Sequence, residues 1–406
     1  MQPERQKIPG VLLLLLSALG IFIGLLALPL AVAASRSLPA GDETGRLALL
    51  SAGALGLLVG LLNIPTFGYT IRFLRQKDGR VRQPSLFKSA SIFLLLWFGL
   101  LGLGHWVSRS AGLHIWLAPL TAIAVLIPIW WIVEFLRRGH PRSTALREWG
   151  SLTIGLTISP VLVMLLELVM LGIMAVIGLI VLGLQSGALE QLSASLQALQ
   201  AAQGGMGDLE RWLAGLSGNP LVVSLVFLSI GFIAPLIEEL FKPMAIWFLL
   251  KRPLTLSEGY SLGLISGGAF ALMESASLVI QISVEEWVAA VALRAATGFL
   301  HIALSGMVGY GLASAWQHRK PGRALLVLLA ATGLHGFWNS MALIAGFSET
   351  ALPAPVSQPV LSPAAIAAAG LMGAVITLLI GITWRLNRKL RPARPDNPPD
   401  NQSLLS

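Results

Sequence analysis

Residues 220–250 read PLVVSLVFLSIGFIAPLIEELFKPMAIWFLL, and this stretch decides the fold. It is apolar and long enough to cross a hydrocarbon core about 30 Å thick. Its second half nevertheless carries Glu238, Glu239 and Lys242 between Pro235 and Pro243. A charge near the bilayer centre costs several kcal/mol or more, so such residues mark a functional site by default. Asn219-Pro220 supplies an N-cap and a first helical residue. Each later proline removes a backbone hydrogen bond and kinks the helix. Broken helices deep in a membrane are tolerated where protein buries them or where they line a cavity. Glu238 and Lys242, four residues apart, share a face and can neutralise each other, whereas Glu239 turns about 100° away.

The rest of the chain agrees with a membrane setting. Of 406 residues, 55% are hydrophobic and only 12% charged, with mean hydropathy +0.78; soluble domains carry about 25% charged residues. Ten stretches are long enough to span: 11–34, 46–66, 89–107, 113–136, 151–184, 220–250, 259–282, 288–316, 324–347 and 364–386. The fold class expected is therefore all-α, a polytopic transmembrane helix bundle of about ten helices. The net charge of +9 reports orientation rather than a nucleic-acid partner. With the N-terminus inside, 22 of the 28 Lys and Arg fall on cytoplasmic segments and four on outer loops. This positive-inside pattern predicts that both termini are cytoplasmic. The first span ends in Ala31-Val32-Ala33-Ala34-Ser35, similar to a signal-peptidase site, but its apolar run exceeds that of a signal peptide and predicts a retained helix. The absence of cysteine removes disulfides, thiolate ligands and a cysteine nucleophile together.

Five regions follow. Residues 1–185 hold five spans of unassigned role, in which only Glu167 is a deep charge. Residues 186–219 form an outer loop, where Leu189, Leu192, Leu196 and Leu199 predict a short amphipathic helix and Leu209, Trp212, Leu213 and Leu216 a second. Residues 220–347 hold the four spans with the clustered ionisable groups. Residues 348–390 hold an outer loop and the last span, and 391–406 form a Pro-, Asn- and Asp-rich tail expected to be disordered.

Each of the four central spans carries polar chemistry. After Glu238 and Glu239 comes Glu274, preceded by Gly267-Gly268-Ala269-Phe270, whose small residues allow close helix approach. Arg294, His301 and Ser305 share a face of the next span, and His335 and Asn339 lie one turn apart in the last. At 1.5 Å per residue, Glu239 and His335 each lie about 16 Å, and His301 and Glu274 each about 22 Å, from the inner ends of their helices. Helices that alternate in direction thus bring these groups to one layer. Two histidines and a carboxylate form the ligand set of many catalytic Zn²⁺ sites, with a further glutamate free to take a proton from water. Without metal, a glutamate can activate water while histidine and asparagine stabilise an oxyanion. Glu/His chains also serve proton or ion transport.

Pro235-Leu236-Ile237-Glu238-Glu239-Leu240-Phe241-Lys242, Phe270 followed by Glu274, the series Arg294–His301–Gly309 and His335-Gly336-Phe337-Trp338-Asn339 together resemble the PrsW family of bacterial intramembrane proteases, similar in motifs to the CAAX prenyl-protease and bacteriocin-processing group. Ser305 stands where threonine is expected. The resemblance covers about residues 225–345 and leaves the first five helices outside it. It implies a multi-pass protein of the bacterial plasma membrane that hydrolyses peptide bonds of membrane-embedded substrates, with anti-sigma factors as one substrate class. It implies that Glu238 and Glu239 are essential and that Glu274, His301 and His335 complete the site. On that basis Glu274, His301 and His335 would bind a divalent metal, most simply Zn²⁺. One glutamate of the pair would be the general base and the other would pair with Lys242, Asn339 would donate to the oxyanion, and Arg294 and Ser305 would support the site. A metal-free glutamate protease of the CAAX type, a non-catalytic member and a proton or ion transporter are the alternatives.

Overall fold

In hydrocarbon a backbone can satisfy its polar groups only from within the protein, and the apolar stretches accordingly fold as helices. The computed structural model describes residues 3–39, 41–75, 84–110, 112–183, 193, 197, 220–249, 252–279, 284, 286–350 and 362–391, and no strand occurs among them. The helices are α1 (Pro3–Arg36), α2 (Glu43–Leu74), α3 (Phe87–Ser108), α4 (Leu117–Leu136), α5 (Ala145–Leu156), α6 (Ile158–Gly183), α7 (Pro220–Leu228), α8 (Ala234–Phe241), α9 (Met244–Trp247), α10 (Leu256–Val279), α11 (Trp287–His318), α12 (Pro321–Thr350) and α13 (Pro363–Leu390). A π turn, Ser229–Ile233, joins α7 to α8. The helices expected in the 186–219 loop and the disorder expected in the tail lie outside the described residues, apart from Ser193, Gln197 and Arg391.

Among the described residues nine helical segments are long and apolar enough to cross a membrane, one fewer than the sequence count. The difference is α10, the expected span 259–282. It is 24 residues long, but glycines, serines and two glutamates dilute its apolar character. Protein covers it instead of lipid: Tyr260, Leu262, Leu264, Ala269, Ala271 and Leu272 are all buried. A helix shielded in this way has no need of an apolar surface all round. The expected span 151–184 also divides, at Thr157 between α5 and α6. Pro160 lacks the N–H that would bond to the Leu156 carbonyl, so a continuous helix is not available there.

The described helices form two compact units. The first comprises Met1–Ile158, Lys242–Ala324 and Leu379–Ser406; the second comprises Ser159–Phe241 and Leu325–Leu378.

In the first unit α1 packs on α2, α3 on α4, and α4 and α5 both pack on α10. Thr153 of α5 bonds through its hydroxyl to Asn63 Oδ1 of α2 at 2.8 Å, and Thr66 donates to the Trp149 carbonyl at 2.9 Å. Such interhelical hydrogen bonds do in a membrane what hydrophobic burial does in water. At one end of the unit, buried Glu134, Arg137 and Glu148 and half-buried Arg142 neutralise one another. Beside them Asn387 of α13 donates through Nδ2 to the Leu136 carbonyl at 2.8 Å and accepts from His140 Nε2. Burial pushes the His140 imidazole below its ordinary pKa, while the bond to Asn387 opposes that shift.

The α10–α11 contact matters most for the site. Gly259, Gly263 and Gly267 repeat at four-residue steps along α10 and lie against the backbone of α11. A Cβ on Gly263 would lie 2.3 Å from the Ser305 carbonyl oxygen, and one on Gly267 would lie 2.6 Å from that of His301. Only glycine permits this approach, and it fixes the register of Glu274 against His301. Gly263→Ala is therefore expected to force the helices apart and destabilise the protein by roughly 1–3 kcal/mol. Thermal unfolding of the purified protein measures this. Gly333→Ala, where a Cβ meets nothing within 4 Å, should leave the midpoint unchanged or raise it.

Candidate active site

The second unit holds the paired glutamates and His335. Their placement begins with Pro235. In a regular helix the Ile230 carbonyl would accept from the Ala234 N–H, but that N–H bonds to Ser229 instead, making the π turn. The next residue that could serve the carbonyl in π geometry is Pro235, which has no N–H. Asn339 fills the gap: its Nδ2 donates to the Ile230 oxygen at 3.1 Å. Gly336 makes this reach feasible, because a Cβ there would lie 1.9 Å from the Gly231 carbonyl oxygen. At the other end of α8, the Phe241 carbonyl accepts from Ser159 Oγ at 2.8 Å. The segment bearing the glutamates is thus held at both ends by side chains of neighbouring helices.

His335 lies between the two carboxylates. Its Nδ1 is 2.9 Å from Glu239 Oε1, and its Nε2 is 3.9 Å from Glu238 Oε2. Glu239 is fully buried, while Glu238 keeps 13% of its side chain exposed. A carboxylate accepts only, so Nδ1 carries the proton donated to Glu239. In that tautomer Nε2 presents a lone pair toward Glu238. Two acceptors at that separation suit a cation or a water between them. Carboxylate–histidine–metal triads have this form, with the outer carboxylate fixing the ring and raising its basicity. The donor set therefore fits a divalent ion held by His335 Nε2 and Glu238, with Glu239 behind the ring.

The first unit holds the other expected residues. Lys242 Nζ is 2.6 Å from His301 Nδ1 and lies 4.8 Å from the centroid of the Phe270 ring. His301 Nε2 contacts Glu274, whose other oxygen is 3.2 Å from Arg294. An ammonium offers donors only, so Nδ1 of His301 accepts and Nε2–H donates to Glu274. The result is a buried chain of alternating polarity, Lys242–His301–Glu274–Arg294, with Arg294 Nε donating to Ser275 at 3.1 Å. Ser305 is fully buried one turn from His301, with its Cβ against Gly267. Close packing explains a side chain no larger than serine.

Sequence reasoning selected every ionisable member of these two sets. It did not foresee His301 as the partner of Lys242, nor Ser275 and Ser159. It also gave Asn339 no backbone duty; Pro235, which orphans the Ile230 carbonyl, was the available signal. His335 belongs to the second unit, whereas Glu274 and His301, expected to share an ion with it, belong to the first.

A family model described as PrsW family intramembrane metalloprotease matches residues 160–368, half of the chain. No curated protein and no solved structure matches the chain.

Asn339→Leu should leave the Ile230 carbonyl without its donor and cost about 1–3 kcal/mol. Thermal unfolding should show this loss equally in a Glu238→Gln background, since the duty concerns the backbone and not the reaction.

Proposed function

The chain belongs to the PrsW family of intramembrane metalloproteases, and from that premise we propose that it hydrolyses peptide bonds of single-span membrane proteins, of which anti-sigma factors are one class, in the bacterial plasma membrane. The observation that carries the reading is His335 set between Glu239 and Glu238, a water-activating arrangement on a helix broken within the membrane.

Glu238 is proposed as the general base. It is the more exposed of the pair, and its oxygen faces the His335 lone pair. It takes a proton from water as the water oxygen bonds to the scissile carbonyl carbon. It then passes that proton to the amide nitrogen as the C–N bond breaks, leaving an acid and an amine. Glu239, buried on Nδ1, orients His335. Asn339 has a second N–H, beyond the one on Ile230, to offer the developing oxyanion. The ligand set expected from the sequence, Glu274, His301 and His335, remains a proposal resting on the family motifs. His301 would have to exchange a present contact, with Lys242 or Glu274, in order to ligate. A bound divalent ion, Zn²⁺ by its nitrogen and oxygen donors, would polarise the carbonyl and lower the pKa of the water. Lys242 and Arg294 balance Glu274.

Full-length protein in proteoliposomes with a single-span substrate tests this reading. Glu238→Gln is expected to lower cleavage by about 10²–10⁴-fold. Glu239→Gln, which still accepts from Nδ1–H, should cost about 10–100-fold. Full cleavage by Glu238→Gln would remove it as the base. Metal analysis after chelation tests the ion separately: activity should vanish with the metal and return with Zn²⁺. Unchanged activity in metal-free protein would instead assign the glutamate-only chemistry.

A further inference from the structure

At the end of the first unit where α3 begins and α4 and α13 stop, three exposed arginines are held in place rather than left free. Arg138 lies over the Phe87 ring, its guanidinium carbon 4.8 Å from the centroid. Arg388 lies over Trp384 at 5.0 Å. Arg391 is laid along Gly139, its Nε only 2.9 Å from where a Cβ would stand, and Gly139 adopts φ +85°, which spares it a side chain. Arg391 thus rests on the residue that follows Arg138 in the chain. Asn387 fixes this junction by its bonds to Leu136 and His140, and the Arg391 N–H donates to the Asn387 carbonyl at 3.2 Å.

Among the described residues, none of the three arginines is paired with a carboxylate. The nearby acids are spent elsewhere: Glu134 and Glu148 on Arg137 and Arg142, and Glu258 on Arg147. Guanidiniums held at one end of the unit without a carboxylate partner favour an anion. Below them the surface turns apolar, with Phe135 44% and Trp384 57% exposed. Phe135 adjoins Phe87, their ring centroids 6.2 Å apart. Span ends with aromatic rings and arginines lie at headgroup depth. A ligand that suits both features has a phosphate at the arginines and acyl chains along the rings.

We propose that Arg138, Arg388 and Arg391, with Phe87, Phe135 and Trp384, form a binding site for one anionic phospholipid. The guanidiniums take the phosphodiester, forked donors being suited to its oxygens. The exposed rings take the first part of the acyl chains. The site lies outside the family-matched region, since α13 contributes its last turns and α3 and α4 the remainder.

Native mass spectrometry of the full-length protein, titrated with phosphatidylglycerol or phosphatidylcholine, tests the proposal. Phosphatidylglycerol is expected to be retained one per chain and phosphatidylcholine not. Arg138→Gln/Arg391→Gln should weaken retention roughly thirtyfold, from the contribution of two basic residues near a membrane surface. Arg388→Gln, which leaves Gly139 and His140 untouched, should weaken it by a smaller factor and serves if the double variant fails to fold. Arg319→Gln/Lys320→Gln, which removes exposed cations without these aromatic partners, should retain the lipid. Any of four results would overturn the site: undiminished retention in both the double variant and Arg388→Gln, equal retention of phosphatidylcholine, equal loss in the Arg319/Lys320 variant, or displacement by inorganic phosphate.

Discussion

Hydrocarbon offers no hydrogen bonds, so every polar group placed in it must be answered by the protein itself, and this one constraint organises the polar residues of each unit. Pro235 breaks the backbone, and Asn339 of α12 answers the orphaned carbonyl. The answering contact brings His335 beside the glutamates, because His335 and Asn339 are one turn apart. In the other unit Lys242 is answered by His301, His301 by Glu274, and Glu274 by Arg294. Neither set is a group of free charges waiting for a substrate. Each is an ordered chain of donors and acceptors whose polarity fixes the histidine tautomer at its centre.

The first five helices fall outside the family match, yet α4 and α5 lie directly behind α10. Gly155 of α5 packs on Ala269 and Ser266, and Ile129 and Val133 of α4 pack on Gly268. A helix as rich in glycine and serine as α10 would be poorly stabilised facing lipid. The added helices supply the apolar wall that α10 lacks, and their own cohesion comes from Asn63, Thr66 and Thr153.

Much of this was legible beforehand. The helical segments followed from runs of apolar residues, and the ionisable residues of each set stood out as charges within those runs. Two features were not legible, for different reasons. The protein cover of α10 depends on neighbouring helices, which a local average of hydropathy does not register. The partners within the site depended on contacts between distant helices. Spacing places Lys242 beside Glu238 but cannot reveal that His301 comes within 2.6 Å. The motif residues belonging to the two units were recognised as one list, whereas their hydrogen bonds had to be seen in space.

The π turn at Ser229–Ile233 has a consequence for how this protein tolerates change in length. One extra residue in the turn offsets α7 from α8 by about 100° of helical rotation. Deleting a single residue there, even a chemically inert one, would remove that offset. Every side chain of α7 would then swing by that angle relative to Glu238 and Glu239 while the composition stayed almost the same. A substitution at these five positions changes one contact, but a deletion changes the facing of a whole helix. The spacing across this turn is therefore as much a part of the site as the two glutamates that follow it.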